Sequence, residues 1–588
     1  MPTLNWIGKD AVINHHLEVP FRLLKDVPEL GCGDPGSGNL IVEGDNLGAL
    51  KALLPYYKGR VKCACIDPPY NTGNEGWAYN DNVNSPAIQK WLKEALEGRT
   101  IGKEGETLDR HDRWLCMMYP RLALLREFLT PDGIIIVFLD DNEIHALRYL
   151  LEEIFGIGNF VATLVWEKGR KNDARFISSG HEYVMIFARN FSFLKEGGVK
   201  WRKEKAGALE IHEEFMRLRA LYGDSFSQIE SDLKNFYKEL PKNHPSKKHS
   251  RYNKVDSTGV WRDDNMSWPG GGGPSYDVIH PVTKKPCRVP DGGWRYATPE
   301  KMAKMIVQGK VVFRDDHSEP PIRKTYLVRD QDGGDDDDIG SEVMGSYFYR
   351  SALQASNNLL QIFGRKPFEN PKDHEIVADL ISYVTKSDPN CIVIDSFGGS
   401  GTTAHSVLHL NHLFKGNRRF ILIELQQEIA REITRERVKR VAMGYTTKGK
   451  AIPGLGGGFR YVTLGDALFD ETGQIRCTVR FADLARHVYF TETGEPLPKE
   501  RVSAKSPLLG IHQGKAIYLL YNGILKDRSV NGGNALCRET LQVIEEINDG
   551  HEGVQQTVVF GTSQRLSPAR LKRGRIDFKQ IPYHLRIS

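Results

Sequence analysis

The chain has 588 residues, 40% of them hydrophobic and 26% charged, with a formal net charge of +5. That length is too great for a single compact core and implies two to four domains of ordinary globular composition. No apolar run approaches the roughly 18 residues of a membrane span, the opening Met1-Pro2-Thr3-Leu4-Asn5-Trp6 lacks a signal-peptide pattern, and the eight cysteines are scattered without zinc spacing. A cytoplasmic protein with reduced thiols and no metal is therefore expected.

In chain order, 40–43 reads as a strand and 49–54 as a short helix. The apolar run 61–66 reads as a buried strand. A helical pattern over 120–129 leads to a turn at Pro131-Asp132-Gly133. The run 134–139 is wholly apolar, as in a central parallel strand. An amphipathic helix follows at 144–155, then strands at 161–166 and 183–188. This alternation implies a doubly wound α/β sheet.

From about 195 the character changes. Residues 204–240 are charged and helical in pattern, and 241–254 concentrate Lys242, Lys247, Lys248, Arg251 and Lys254. The stretch 261–294 is loop-rich and carries Trp268-Pro269 followed by four glycines. Basic, aromatic and loop-forming residues together suggest a nucleic-acid surface; a solvated irregular insertion is the alternative. The acidic run 333–338 matches no calcium loop. From about 345 to 445 the α/β pattern resumes, with a helix at 375–383 and strands at 391–395 and 419–423. Neither α/β segment has enough strands to bury both faces alone, so the two must share one sheet. The region from about 455 has strands of its own at 516–521 and 557–560 and reads as a separate small domain.

Two segments carry chemistry. Strand 61–66 runs into Asp67-Pro68-Pro69-Tyr70. Two consecutive prolines have no N–H to give a sheet ladder, so the strand stops there. It leaves a carboxylate, bare carbonyls and an aromatic ring at its carboxyl end, where open α/β sheets bind ligands. That set suits a planar amine such as adenine. Far downstream, strand 391–395 runs into Ser396-Phe397-Gly398-Gly399-Ser400-Gly401-Thr402-Thr403 and then a helical pattern. A strand, a glycine turn and a helix form a nucleotide-cofactor loop, with Gly399, Gly401 and Thr402 as loop residues. The spacing is neither that of a dinucleotide fingerprint nor that of a triphosphate loop. Glu424, at the end of the next strand, suits the two hydroxyls of a ribose. Phe397 reads either as a core aromatic or as a wall beside the cofactor. Asp45 and Asp395 could be helix caps. Pro286-Cys287, a candidate for cytosine C5 chemistry, has no cofactor strand before it and reads as structural.

Together these residues resemble the amino-group DNA methyltransferases that use S-adenosylmethionine. Asp67-Pro68-Pro69-Tyr70 looks like their catalytic motif and Phe397-x-Gly399-x-Gly401 like their cofactor motif. The order, catalytic motif first, resembles the β group. Gly44-Asp45-Asn46-Leu47, Asn71-Thr72-Gly73, 399–405 and 417–420 resemble the modification subunits of type III restriction–modification systems.

The resemblance implies a Rossmann-like methyltransferase sheet with its catalytic part in 1–195 and its cofactor part in 345–450. A target-recognition domain at 196–344 would place Lys247, Lys248, Arg251 and Lys254 against DNA, and 451–588 would be a C-terminal accessory domain. It further implies Asp45, Asp395 and Phe397 near the cofactor, and N6 methylation of an adenine flipped out of double-stranded DNA. The expected partners are a second copy of the chain and a separate helicase–nuclease restriction subunit. Cytosine N4 methylation, a stand-alone enzyme, a role in another defence system and a catalytically silent specificity subunit stay open. One departure stands out: Pro371-Lys372-Asp373 replaces the family's frequent Pro-Lys-Pro.

Overall fold

The computed structural model describes residues 4–6, 8–73, 103–169, 176–242, 244–327, 341–469, 475–476, 479–497, 506–520 and 534–581, with 35, 103–109 and 204 as backbone only. The acidic run at 333–338 lies outside the described residues. Two compact units are present: Met1–Val199 with Gly345–Ser588, and Lys200–Met344.

Among the described residues, eleven strands of the first unit form one sheet. Six central strands run parallel, in the order Gly458–Ala467, Leu40–Glu43, Arg419–Glu424, Ile392–Asp395, Val61–Ile66 and Leu129–Leu139. His181–Ala188 and Phe160–Glu167 extend it antiparallel on one side, and Arg22–Asp26 on the other. Val61–Ile66 is buried at every position, as a central strand covered by helices on both faces must be. The two α/β halves of the chain thus build one sheet, joined where Ile392–Asp395 lies beside Val61–Ile66.

Three boundaries differ from the sequence reading. Pro131-Asp132-Gly133 is not a turn before a strand but an irregularity within the single strand Leu129–Leu139. Val61 pairs with Leu129 and Cys63 with Ile134, so the extra residues bulge out of the ladder. The bulge is tied down because Asp132 accepts the ammonium of Lys62, a cation that could not stay buried in the central strand unpaired. The helix expected at 49–54 spans Asn46–Tyr57. Strand Gly458–Ala467 belongs to the main sheet through its pairing with Leu40–Glu43, so that sheet continues past residue 450. Beyond it, Leu508–His512, Lys515–Leu519, Gln556–Gly561 and Ile576–Gln580 make a second sheet of four strands, whose core includes Leu484, Val488, Ile517 and Phe560.

In the second unit, helices Ala208–Tyr222 and Phe226–Glu239 pack on Tyr252, Val255, Val260 and Leu327, and a further helix spans Pro299–Val307. It also has a four-stranded antiparallel sheet built around Val260–Asp264 and Ile322–Tyr326. A smaller core gathers Met266, Trp294 and Tyr296. Cys287 is buried in it, a packing role.

Asn39 stitches the main sheet at the start of its strand. Its Nδ2 donates to the Gly458 carbonyl at 2.8 Å, and its Oδ1 accepts the Phe420 N–H at 2.9 Å. Ser37 also serves the Gly458 carbonyl, so removing Asn39 orphans chiefly the Phe420 N–H. Asn39→Ala is expected to lower stability by about 1–3 kcal/mol, the cost of one buried unpaired donor, as read from urea unfolding.

Candidate active site

Strands Val61–Ile66 and Ile392–Asp395 end side by side. From this pair the chain builds outward in opposite directions, toward Leu129–Leu139 on one side and Arg419–Glu424 on the other. That is a topological switch point, and the crevice beyond it is where such sheets bind ligands. A cavity of about 470 Å³ opens there. Asp67, Pro68, Pro69 and Asn71 line one side; Asp395, Phe397, Gly399, Thr402 and Glu424 line the other. The structure thus brings together two motifs far apart in the chain.

The Asp67 side is held from below. The Pro69 carbonyl accepts the Trp114 indole N–H at 2.7 Å. Asp67 Oδ2 accepts from Lys372 Nζ at 2.7 Å, while Asp67 Oδ1 is buried without a hydrogen-bond partner among the described residues. Tyr70 stands behind the cavity wall. Its hydroxyl donates to Glu182 Oε2 at 2.9 Å, and the Lys372 ammonium lies 4.9 Å from its ring centre. Burial, then the neighbouring Asp67 and Glu182 charges, push the Tyr70 phenol well above its usual range, so it stays a neutral aromatic surface. Asn71 sits at φ 61°, a left-handed conformation that asparagine tolerates. Its amide donates to Glu143 and to the Arg110 carbonyl. That fixes the amide's orientation and leaves Oδ1 as a second buried acceptor without a hydrogen-bond partner among the described residues.

The glycine loop explains its own composition. Gly399 and Gly401 have φ of 46° and 79°, and a Cβ on Gly401 would stand 3.2 Å from the Thr434 carbonyl oxygen. The Gly399 N–H donates to Glu424 Oε2 at 2.8 Å, and the Gln426 N–H to Oε1 at 2.9 Å. Each oxygen keeps a lone pair for a ribose hydroxyl. Burial raises the Glu424 carboxyl. Asp395 turns its oxygens to the loop: Oδ1 accepts Phe397 N–H at 2.9 Å and Oδ2 accepts Thr403 Oγ1 at 2.7 Å. Its burial is complete enough to raise its carboxyl to about 7. Phe397 is both core and cavity wall. Thr402 is fastened by Arg437, whose Nη1 reaches Thr402 Oγ1 and Ser400 Oγ at 2.9 Å. Asp45 does not line the cavity; it caps helix Asn46–Tyr57 through the Gly48 N–H at 2.7 Å.

The departure at 371–373 leaves the local path intact. Asp373 has φ −74°, a value proline itself adopts. Its side chain caps helix His374–Thr385 by accepting from Glu375 and Ile376 N–H groups. Sequence reasoning missed Trp114, Glu143, Glu182, Lys168 and Arg437. Their only sequence signal is a charged or aromatic residue at an inward-facing position.

In the second unit, Lys247 Nζ donates to the Leu240 carbonyl at 2.6 Å, and Lys254 pairs with Asp263 at 2.7 Å. Lys248 and Arg251 are exposed. Among the described residues, no three His, Cys, Asp or Glu side chains gather in a metal-holding arrangement. Nor is any described helix long and apolar enough to cross a membrane.

A doubly wound sheet with a carboxylate–diproline motif and a glycine loop meeting at its switch point defines a nucleotide-dependent enzyme acting on a planar amine. The family model for N6/N4 DNA methylases matches residues 61–435, and the chain belongs to that family. Its methyl donor is S-adenosylmethionine. The chain is 31% identical over 461 residues to the Mod subunit of the type III restriction-modification enzyme EcoP15I of Escherichia coli, covering 76% of this chain and 67% of that protein. It is 30% identical over 465 residues to the StyLTI Mod subunit of Salmonella typhimurium, covering 75% and 62%. It is 26% identical over 435 residues to the type II methyltransferase M.KpnI of Klebsiella pneumoniae, covering 73% and 89%. The chain therefore spans about two thirds of the type III relatives' length.

Asp395 sets a pH dependence. The folded protein keeps its proton up to about 7, whereas an ordinary aspartate loses it near 3.8. The folded state therefore binds more protons between those values, and stability falls as pH rises through that window. Asp395→Asn removes this slope. The drop in melting temperature between pH 5 and pH 8 is expected to be smaller in the variant than in the parent, by about 2 °C or more, in scanning calorimetry.

Proposed function

We propose that this chain methylates N6 of a specific adenine in double-stranded DNA, as the modification and recognition subunit of a cytoplasmic type III restriction–modification system. The observation that carries the chemistry is the Asp67 carboxylate, its side chain 32% exposed in the wall of the cavity that the glycine loop also lines.

S-adenosylmethionine, when bound, supplies a methyl group already activated on sulfonium. The cavity fits it: Gly399 and Gly401 allow close approach, and Glu424 offers lone pairs to ribose hydroxyls. Phe397 walls the pocket and Asp395 holds the loop. The protein's task at the other end is to make an adenine amine nucleophilic. Its lone pair is delocalised into the ring, and accepting both N–H bonds localises it. The Asp67 carboxylate and the Pro68 carbonyl take those two bonds, and the carboxylate stabilises positive charge as it develops on nitrogen. Tyr70 offers a neutral aromatic face to the flipped base. Much of the rate then comes from alignment. An aspartate at position 67 favours adenine over cytosine.

The type III reading rests on the Mod subunits of similar sequence over three quarters of the chain. It brings with it a homodimer and a separate helicase–nuclease partner. The unit Lys200–Met344 is the target-recognition domain, with Lys248 and Arg251 on its exposed surface. One observation favours a stand-alone enzyme: similarity to M.KpnI takes in 89% of that type II protein.

Expression in a host without adenine methylation, followed by long-read sequencing, tests these readings. N6-methyladenine at one asymmetric motif on one strand is expected. A palindromic motif modified on both strands transfers the assignment to a stand-alone enzyme. Asp67→Ala is expected to reduce methylation by at least about 10²-fold while calorimetry still registers S-adenosylmethionine binding. Full activity in that variant sinks the catalytic assignment.

A further inference from the structure

Lys372 has no part in the chemistry just described, yet it is packed against its centre. The side chain is 7% exposed. Nζ donates to Asp67 Oδ2 at 2.7 Å and lies 3.6 Å from Glu182 Oε2. Glu182 accepts the Tyr70 hydroxyl at 2.9 Å and pairs with Lys168. Two cations and two carboxylates thus balance in one buried group. Burial works against the charge of Lys372, but the Asp67 and Glu182 carboxylates outweigh it and hold the ammonium above its usual range. On its backbone side, the Lys372 carbonyl accepts Thr402 Oγ1 at 3.4 Å. One residue therefore touches the glycine-loop helix through its carbonyl and the catalytic carboxylate through its side chain.

The two oxygens of an aspartate are equivalent, and the carboxylate torsion is broad and two-fold. Left alone, Asp67 would sample many orientations of its plane. A bond from Nζ to Oδ2 selects one of them. Oδ1 is buried and without a hydrogen-bond partner among the described residues, so the bond to Oδ2 fixes the plane of a side chain that stays 32% exposed at the cavity. Glu182 links the same ammonium to the Tyr70 hydroxyl, so the carboxylate and the aromatic ring are held through one buried pair.

We propose that Lys372 is the positioning residue of the methyl-transfer site: by bonding Asp67 Oδ2 it holds the carboxylate in one orientation toward the target amine, and through Glu182 it fixes Tyr70 in the same frame. The proposal rests on the reading of Asp67 as the amine acceptor. It also assigns a purpose to the lysine retained in Pro371-Lys372-Asp373 while the following proline is replaced.

The test uses the full chain, unmethylated genomic DNA and labelled S-adenosylmethionine. Lys372→Met is expected to slow single-turnover methylation by about 10²-fold or more, the scale of a misaligned acceptor. Its S-adenosylmethionine Kd by calorimetry is expected to stay within about threefold of the parent, because the glycine loop is untouched. Lys372→Arg keeps the cation and is expected to recover at least about tenfold of the loss. Lys372→Ala is expected to regain activity saturably with added n-propylammonium, which a purely structural role would not produce. If Lys372→Met does not fold, the pair K372M and E182Q, which removes one charge of each sign, carries the same comparison. An unchanged methylation rate, a rate loss matched by lost cofactor binding, or the failure of both rescues overturns the proposal. Asp67→Ala run alongside separates the two levels. If it is active, the acceptor reading itself fails; if it is inactive while Lys372→Met is fully active, only the positioning role fails.

Discussion

The parallel pairing of Val61–Ile66 with Ile392–Asp395 is the constraint on which the rest of this structure depends. Ile392 pairs with Val61 and Ile394 with Ala64, and that register sets how far each strand projects from the sheet. Asp67 therefore emerges beside the glycine loop rather than a residue too deep or too shallow. Parallel neighbours need a crossover, and here the crossover includes a whole compact unit, Lys200–Met344. The closure is secured at the site itself, where Lys372 bonds to Asp67 across 305 residues of sequence.

The site is built on a core that tolerates very few uncompensated charges. Asp395, buried with a hydroxyl and an amide as donors and no cation paired to it among the described residues, holds a raised carboxyl. Arg437, buried behind the loop, has its guanidinium lowered to about 10 by the same loss of water. Asp67 has an ammonium at 2.7 Å. The cavity has carboxylates on both walls, Asp67 on one side and Glu424 on the other. Both can accept from the N–H and O–H groups in which an aminopurine and a ribose are rich.

Substitution at a motif can conserve geometry while changing chemistry. Asp373 keeps a backbone torsion that proline would have taken and adds a helix cap that proline could not make. The neighbouring Lys372 is the residue whose side chain enters the site. Tyr70 likewise serves two ends, its ring against the Lys372 ammonium and its hydroxyl anchored on Glu182.

Local chemistry made much of this legible before the fold was known. Two prolines after an apolar run end a strand wherever they occur, and glycines at 399 and 401 permit left-handed turns without reference to distant residues. Those signals marked the two segments that line the cavity, and strand-poor halves required one shared sheet. What depended on tertiary structure was every partner chosen across the chain. Asp45 had a cap and a cofactor contact as open readings, and the fold placed it on the Gly48 N–H. Pro131-Asp132-Gly133 has the composition of a turn, but Lys62 on the neighbouring strand makes it a bulge. Strand Gly458–Ala467 joined the main sheet because Leu40–Glu43 offered an unpaired edge. Lys372, Glu182 and Asn71 became site residues only once strands distant in sequence were set side by side. A lone charged residue in a sequence does not declare its counter-ion, and burial is what forces it to have one.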